Sequence, residues 1–92
     1  MAHVICDQVT NGLRSSEKTV AIRDTHGRRQ FLRVEEDFLT QEGGRHWLPV
    51  GIVQEDAARR IVLIELPQEA ETGANRLWVS SSDLLESTKA PA

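Results

Sequence analysis

The sequence predicts a small, mostly antiparallel β domain, a five-stranded barrel or meander with one or two short helical turns. Three observations predict it: apolar residues recur at every second position in several short runs, glycines fall between those runs, and no helical period is sustained. At 92 residues the chain has room for one core. A chain of this length buries little more than about 60% of its unfolded surface, so its stability margin is thin and a partner subunit would widen it.

Residues 1–17 mix a short apolar patch, Val4 and Ile5, with the polar stretch NGLRSSEK, and read as a loose arm ending in an edge strand. Residues 18–86 read as the single β domain. Within it, Lys18 to Asp24 alternates Val20 and Ile22 against Thr19, Ala21 and Arg23, as a half-buried strand does. The THGRR turn follows, in which Gly27 supplies a positive φ. Gln30 to Glu35 then alternates Leu32 and Val34 against Phe31 and Arg33, completing a first hairpin.

EEDFLTQEGG reads two ways. Glu35, Glu36 and Asp37 suit the first turn of a helix that Gly43 would stop, with Phe38 docked on the domain; a short strand around Phe38 and Leu39 is the alternative. HWLPVGIV at 46–53 is a strand with Leu48, Val50 and Ile52 on one face. Proline cannot donate to a β ladder, so Pro49 marks an edge, a bulge or a bend. IVLIEL at 61–66 is the most β-prone run and the expected central strand, with Val62, Ile64 and Leu66 on one face. Pro67 is placed to begin a single helical turn that Gly73 ends, and RLWV at 76–79 supplies the last clear strand. Asp83 and Glu86 have capping-box spacing around a further short turn, and residues 87–92 are expected to fray. In layout this series resembles the SH3-like small barrels, including the short turn beside the final strand, although no family motif is matched residue by residue.

Composition narrows the function classes. The one cysteine, Cys6, excludes an intramolecular disulfide framework and fits a reducing, cytoplasmic setting. The N-terminus lacks a basic segment followed by a long apolar one, and the longest purely aliphatic run is IVLI at 61–64, so neither a signal peptide nor a membrane span is expected. A net charge of −3 exerts no global pull on nucleic acid, so any such binding needs a local patch.

His3 and Cys6 have H-x-x-C spacing, but no second ligand pair follows, and no metal or cofactor is expected. His26 beside Asp24 raises a hydrolase reading that needs a concave pocket at that turn, yet no nucleophile elbow G-x-S-x-G occurs. The carboxylates Glu35, Glu36 and Asp37 read as a solvated face rather than an acid and base pair. No phosphate-cradling glycine loop is present. The expectation is therefore a non-enzymatic, cytoplasmic protein-binding module, acting on a protein partner or by self-association. It would use a strand edge or a surface drawn from Trp47, Trp78, Arg28, Arg29, Arg59 and Arg60. With so few aromatics, both tryptophans are expected to help fill the core, although one could project outward. The alternative is a nucleic-acid-binding barrel using the two arginine pairs, since nine of the eleven cations are arginine, which forks to phosphate and stacks on bases.

Overall fold

A computed structural model of the chain describes residues 2–86. Within that span the strands are β1 (Ala2–Ile5), β2 (Gln8–Asn11), β3 (Glu17–Arg23), β4 (Arg29–Glu35), β5 (Thr40–Glu42), β6 (Arg45–Asp56), β7 (Ile61–Glu65), β8 (Arg76–Ser80) and β9 (Leu84–Glu86). Every pairing is antiparallel. One sheet runs β8-β7-β6-β1-β9, with β5 beside the start of β6; the other runs β2-β3-β4. The mostly β, antiparallel class is therefore borne out. Among the described residues no continuous ladder closes the two sheets into a barrel.

The chain changes sheets at a corner. The Cys6 N–H still donates to His46 of β6 at 3.0 Å, while the next N–H, that of Asp7, already donates to Ala21 of β3 at 2.7 Å. Two more isolated bonds tie a connection of one sheet to a strand of the other: Thr25 N–H, in the β3–β4 turn, to the Trp78 carbonyl at 2.9 Å, and Glu71 N–H, in the β7–β8 connection, to the Phe31 carbonyl at 2.7 Å.

Both sheets contribute to one aliphatic core: Val4 from β1, Val20 and Ile22 from β3, Leu32 and Val34 from β4, Leu48 and Val50 from β6, Val62 and Ile64 from β7, Leu77 and Val79 from β8. The alternation read in 20–22, 32–34, 48–50 and 62–66 is the observed inward set. Burial of each Leu or Ile stabilises the fold by about 1.5–3 kcal/mol.

Several elements differ from expectation. Residues 2–5 are not a loose arm: β1 lies between β6 and β9, with Ala2 and Val4 buried, and within residues 2–17 it is β2 that sits at a sheet edge. EEDFLTQEGG divides between its two readings, as one 3₁₀ turn at Glu36–Phe38 followed by β5. The two-residue Gly43-Gly44 link to β6 has φ of 65° and 77°, the paired left-handed conformation that a tight hairpin needs and glycine adopts freely. No helical turn follows Pro67; Ala70 is buried instead and its N–H donates to Ala74. The last turn, Ser81–Asp83, is capped by the Ser80 hydroxyl rather than by Asp83, and Leu84–Glu86 becomes a strand instead of a capping box. The expected frayed tail, 87–92, lies outside the described residues.

Pro49 sits where its missing donor is harmless. The Cys6–His46 bond fixes even-numbered residues of β6 as those bonding β1, so Pro49 points its backbone to the opposite edge. On that edge β5 ends at Trp47 and β7 begins at Gly51, leaving Pro49 in the interval between them. The bulge comes later, between Ile52 and Gln54.

Candidate interaction surface

Strand alternation decides where the aromatic side chains go. Because Leu48 and Val50, Leu77 and Val79, and Leu32 and Val34 face the core, Trp47, Trp78 and Phe31 are turned outward. Phe38, on the 3₁₀ turn that carries the chain between sheets, is 49% exposed. None of the four aromatics belongs to the buried core, which corrects the expectation that both tryptophans fill it.

Trp47 and Trp78 lie on the outward side of the same sheet but not in one patch. Trp47 stands beside Ile5 and donates its indole N–H to the Glu42 carbonyl at 3.1 Å, lying over the β5–β6 hairpin. Trp78 is two strands away, opposite Leu63, which is itself opposite Gln54. At about 3.3 Å per residue and 4.8 Å per strand the tryptophans are roughly 25 Å apart.

The arginines are also dispersed, and most are engaged. Arg23 and Arg29 are directly opposite each other on β3 and β4, and Asp7 bridges them, at 3.3 Å and 2.7 Å. The bond from Arg29, with the positive charge of Arg23, holds the Asp7 carboxyl below its ordinary pKa. Arg28 leans toward Asp24 at 3.5 Å, and Arg59 toward Asp56 at 3.8 Å. Arg60 holds a left-handed φ of 59° and accepts the Ser81 N–H on its carbonyl.

A concavity does lie beside the Asp24 turn, lined among others by His26, Arg28, Arg76 and Trp78. Its chemistry is structural. Asp24 is buried; its Oδ1 accepts the backbone N–H groups of His26 (2.9 Å) and Arg28 (3.0 Å), and its Oδ2 accepts the Gln30 amide (3.3 Å). Burial disfavours the charged carboxylate, but the Arg28 N–H, the Gln30 amide, the His26 N–H and the Arg28 charge together outweigh it and lower the pKa. Asp24 therefore holds the backbone of His26 and is not hydrogen-bonded to its ring, so the pair is not an acid and base couple. His3 and Cys6 fall on opposite faces of their strand, three residues apart, so they cannot share a metal ion. Among the described residues no group of three or more His, Cys, Asp or Glu side chains is placed to hold one. Cys6 is buried, and burial pushes its thiol up to about 12.

The most apolar of the concavities is one the sequence does not announce. A groove of about 430 Å³ runs along the open edge of β6, lined by Phe38, Pro49, Val50, Gly51, Glu65, Leu66 and Pro67. Its floor is the stretch of β6 that neither β5 nor β7 covers. Gly51, where the β7 pairing begins, keeps the floor low at that end; a Cβ there would meet only the Glu65 Cβ, at 3.8 Å. Pro49 and Phe38 were each legible as unusual, as a break in a strand and as an aromatic needing a docking place. Their meeting with Leu66 and Pro67 depends on topology.

Among the described residues no helix is long and apolar enough to cross a membrane. No known protein family matches the chain, and no curated protein or solved structure is similar to it.

Proposed function

We propose that the chain is a non-catalytic protein-interaction module that takes an extended, apolar peptide segment in the Phe38 groove. The observation that carries this reading is the placement of every aromatic outside a core built from aliphatic side chains alone. A small chain gains much stability from burying an aromatic ring, and here that gain is taken only in part: Phe31 and Phe38 are exposed and both tryptophans are half-buried. The groove falls within the range of volume and apolar character typical of binding sites. Pro49 offers no N–H at the open edge, so recognition would rest on side-chain packing against Phe38, Leu66 and Pro67 rather than on adding a strand.

The reading of the two sheets as an SH3-like, half-open barrel belongs to the same proposal. It is supported by the corner at Cys6 and Asp7 and by the two bonds that tie a connection of one sheet to a strand of the other. The buried thiol of Cys6 accords with a cytoplasmic setting.

Selection from a display library of random linear peptides tests the proposal. The expected result is a family of sequences sharing a large aliphatic residue or proline, whose binding is lost in Phe38→Ala. Phe38 is half-exposed, so that variant should fold normally. Selected peptides that bind Phe38→Ala as well as the parent protein, or no selected peptides at all, would refute the groove.

The nucleic-acid alternative retains one observation in its favour. Phe31 stands exposed on β4 with Arg29 and Arg33 two residues to either side on the same face, a small stacking and phosphate-binding array. Salt-sensitive retention of single-stranded oligonucleotides, reduced in Arg33→Ala, would support it. No retention at low salt would end it.

A further inference from the structure

Antiparallel sheets with one face on a core usually present a polar face to water. The outward side of β7 and β8 departs from that pattern. Cross-strand partners share a face, and since Val62, Ile64, Leu77 and Val79 point inward, the outward rows are Glu65 with Arg76, Leu63 with Trp78, and Ile61 with Ser80. Three of those six side chains are large and apolar. Leu63, Trp78 and Ile61 are all half-buried, and the Asp24 turn flanks Trp78 at the β8 edge. Every described strand is already placed in one of the two sheets, and the described residues contain no α-helix that could form a third layer.

The order of those rows identifies an occupant. Each row pairs unlike partners: an acid with a base, a branched aliphatic with an indole, and an isoleucine with a serine. A two-fold axis running parallel to the strands, between β7 and β8, would lay each residue over its row partner in a second copy. Arg76 would then meet Glu65 of the other copy, Trp78 would meet Leu63, and Ser80 would meet Ile61. Glu65 and Arg76 are 3.7 Å apart within one chain and both remain about half-exposed, so each keeps solvent-facing capacity for a second partner. The strip is self-complementary in charge and in bulk, which is what an isologous interface requires.

We infer that the chain self-associates face to face through the outward side of β7 and β8, as a weak two-fold dimer. Stacked sheets would lie roughly 10 Å apart, as the inner faces of a sandwich do. Five residues on each of two or three strands cover only about 16 Å by 14 Å, so the interface belongs to the class below about 1,200 Å² in total. Association is expected in the high micromolar range. This surface meets the proposed peptide groove only at Glu65, so the two are separated with residues that belong to one alone: Phe38→Ala should leave self-association intact, and Arg76→Glu should leave peptide binding intact.

Sedimentation equilibrium of the full chain, from about 10 μM to about 1 mM, tests the inference together with a charge-swap pair. The parent protein should show a concentration-dependent dimer. Glu65→Arg alone and Arg76→Glu alone place like charges across the axis, and each should weaken self-association by about tenfold or more. An equimolar mixture of the two variants restores both opposite-charge contacts across the axis, so the heterodimer should form with near-parental affinity. Rescue in trans separates a contact at the interface from a fault within one chain. Amide NMR shifts of the parent protein on dilution supply a reading that needs no variant, and they should be concentrated in 61–65 and 76–80. A monomer at about 1 mM, single variants that associate like the parent, a mixture that is not rescued, or shifts lying elsewhere would each overturn the inference.

Discussion

Replacing Asp24 by alanine should destabilise the fold far more than its place in a surface turn implies. The carboxylate ends a relay: it accepts the N–H groups of His26 and Arg28 and the amide of Gln30, while Gln30 accepts the Thr72 hydroxyl at 2.8 Å. The β3–β4 turn is thereby tied to the connection between β7 and β8. In Asp24→Ala the two turn N–H groups are partly rescued by water, at a loss of about 0.5–1 kcal/mol each. The Gln30 amide is different, because Gln30 is only 8% exposed, and a buried donor left unpaired costs about 1–3 kcal/mol. The Arg28 ion pair adds little, since its guanidinium is mostly in solvent. The total is about 2–5 kcal/mol, or a Tm lower by roughly 10–40 °C for a chain of this size. Urea denaturation followed by far-UV circular dichroism is the assay, with an unchanged m value expected. Asp24→Asn should cost less, because Oδ1 keeps both turn bonds and Gln30 can turn its amide to suit. The pH profile supplies a second reading. The carboxyl pKa is lowered on folding, so its contribution is complete above the unfolded value near 3.8 and is lost as pH falls through the lower folded value. Asp24→Ala should lack that acid-limb component. A loss below about 0.5 kcal/mol, within the range of ordinary surface substitutions, would refute the relay.

Two further outcomes follow from backbone and burial. Arg60 is the one non-glycine among the described residues with positive φ, so Arg60→Gly should raise stability by about 0.5–1 kcal/mol in the same denaturation assay, whereas Arg59→Gly should not. Cys6, buried with its thiol raised to about 12, should resist alkylation by iodoacetamide near neutral pH and react readily once urea unfolds the chain. Fast labelling of the native protein would place Cys6 in a part of the sheet that opens easily.

The parts of the fold legible in the sequence are those where a two-residue alternation runs over enough positions. Val20 and Ile22 facing Leu32 and Val34 across a glycine-bearing turn, and the Val62, Ile64, Leu66 set, specify both strand and inward face. β1 offers only Ala2 and Val4 inward, too short a pattern to separate an inner strand from an arm; its role comes from pairing with β6 and β9, far away in sequence. Leu84 and Leu85 read equally as a turn after Asp83. The tryptophans were misplaced because composition favours burying large rings, whereas the aliphatic residues flanking each one had already claimed the inward positions. The groove was less legible still: Phe38, Pro49 and Pro67 come from three segments, and only the order of strands in the sheet makes them neighbours.

The pairing of β1 with β9 also bears on how the chain could be recut. Ala2 lies opposite Glu86, so the two ends of the described fold are one strand spacing apart, about 5 Å. Forming that pair closes a loop of most of the chain, an entropic step that slows folding. A circular permutant joined across these ends and opened at Gly43-Gly44 would make the β1–β9 contact local while severing only the short β5–β6 hairpin. It would fold faster than the natural order of strands at nearly the same final structure.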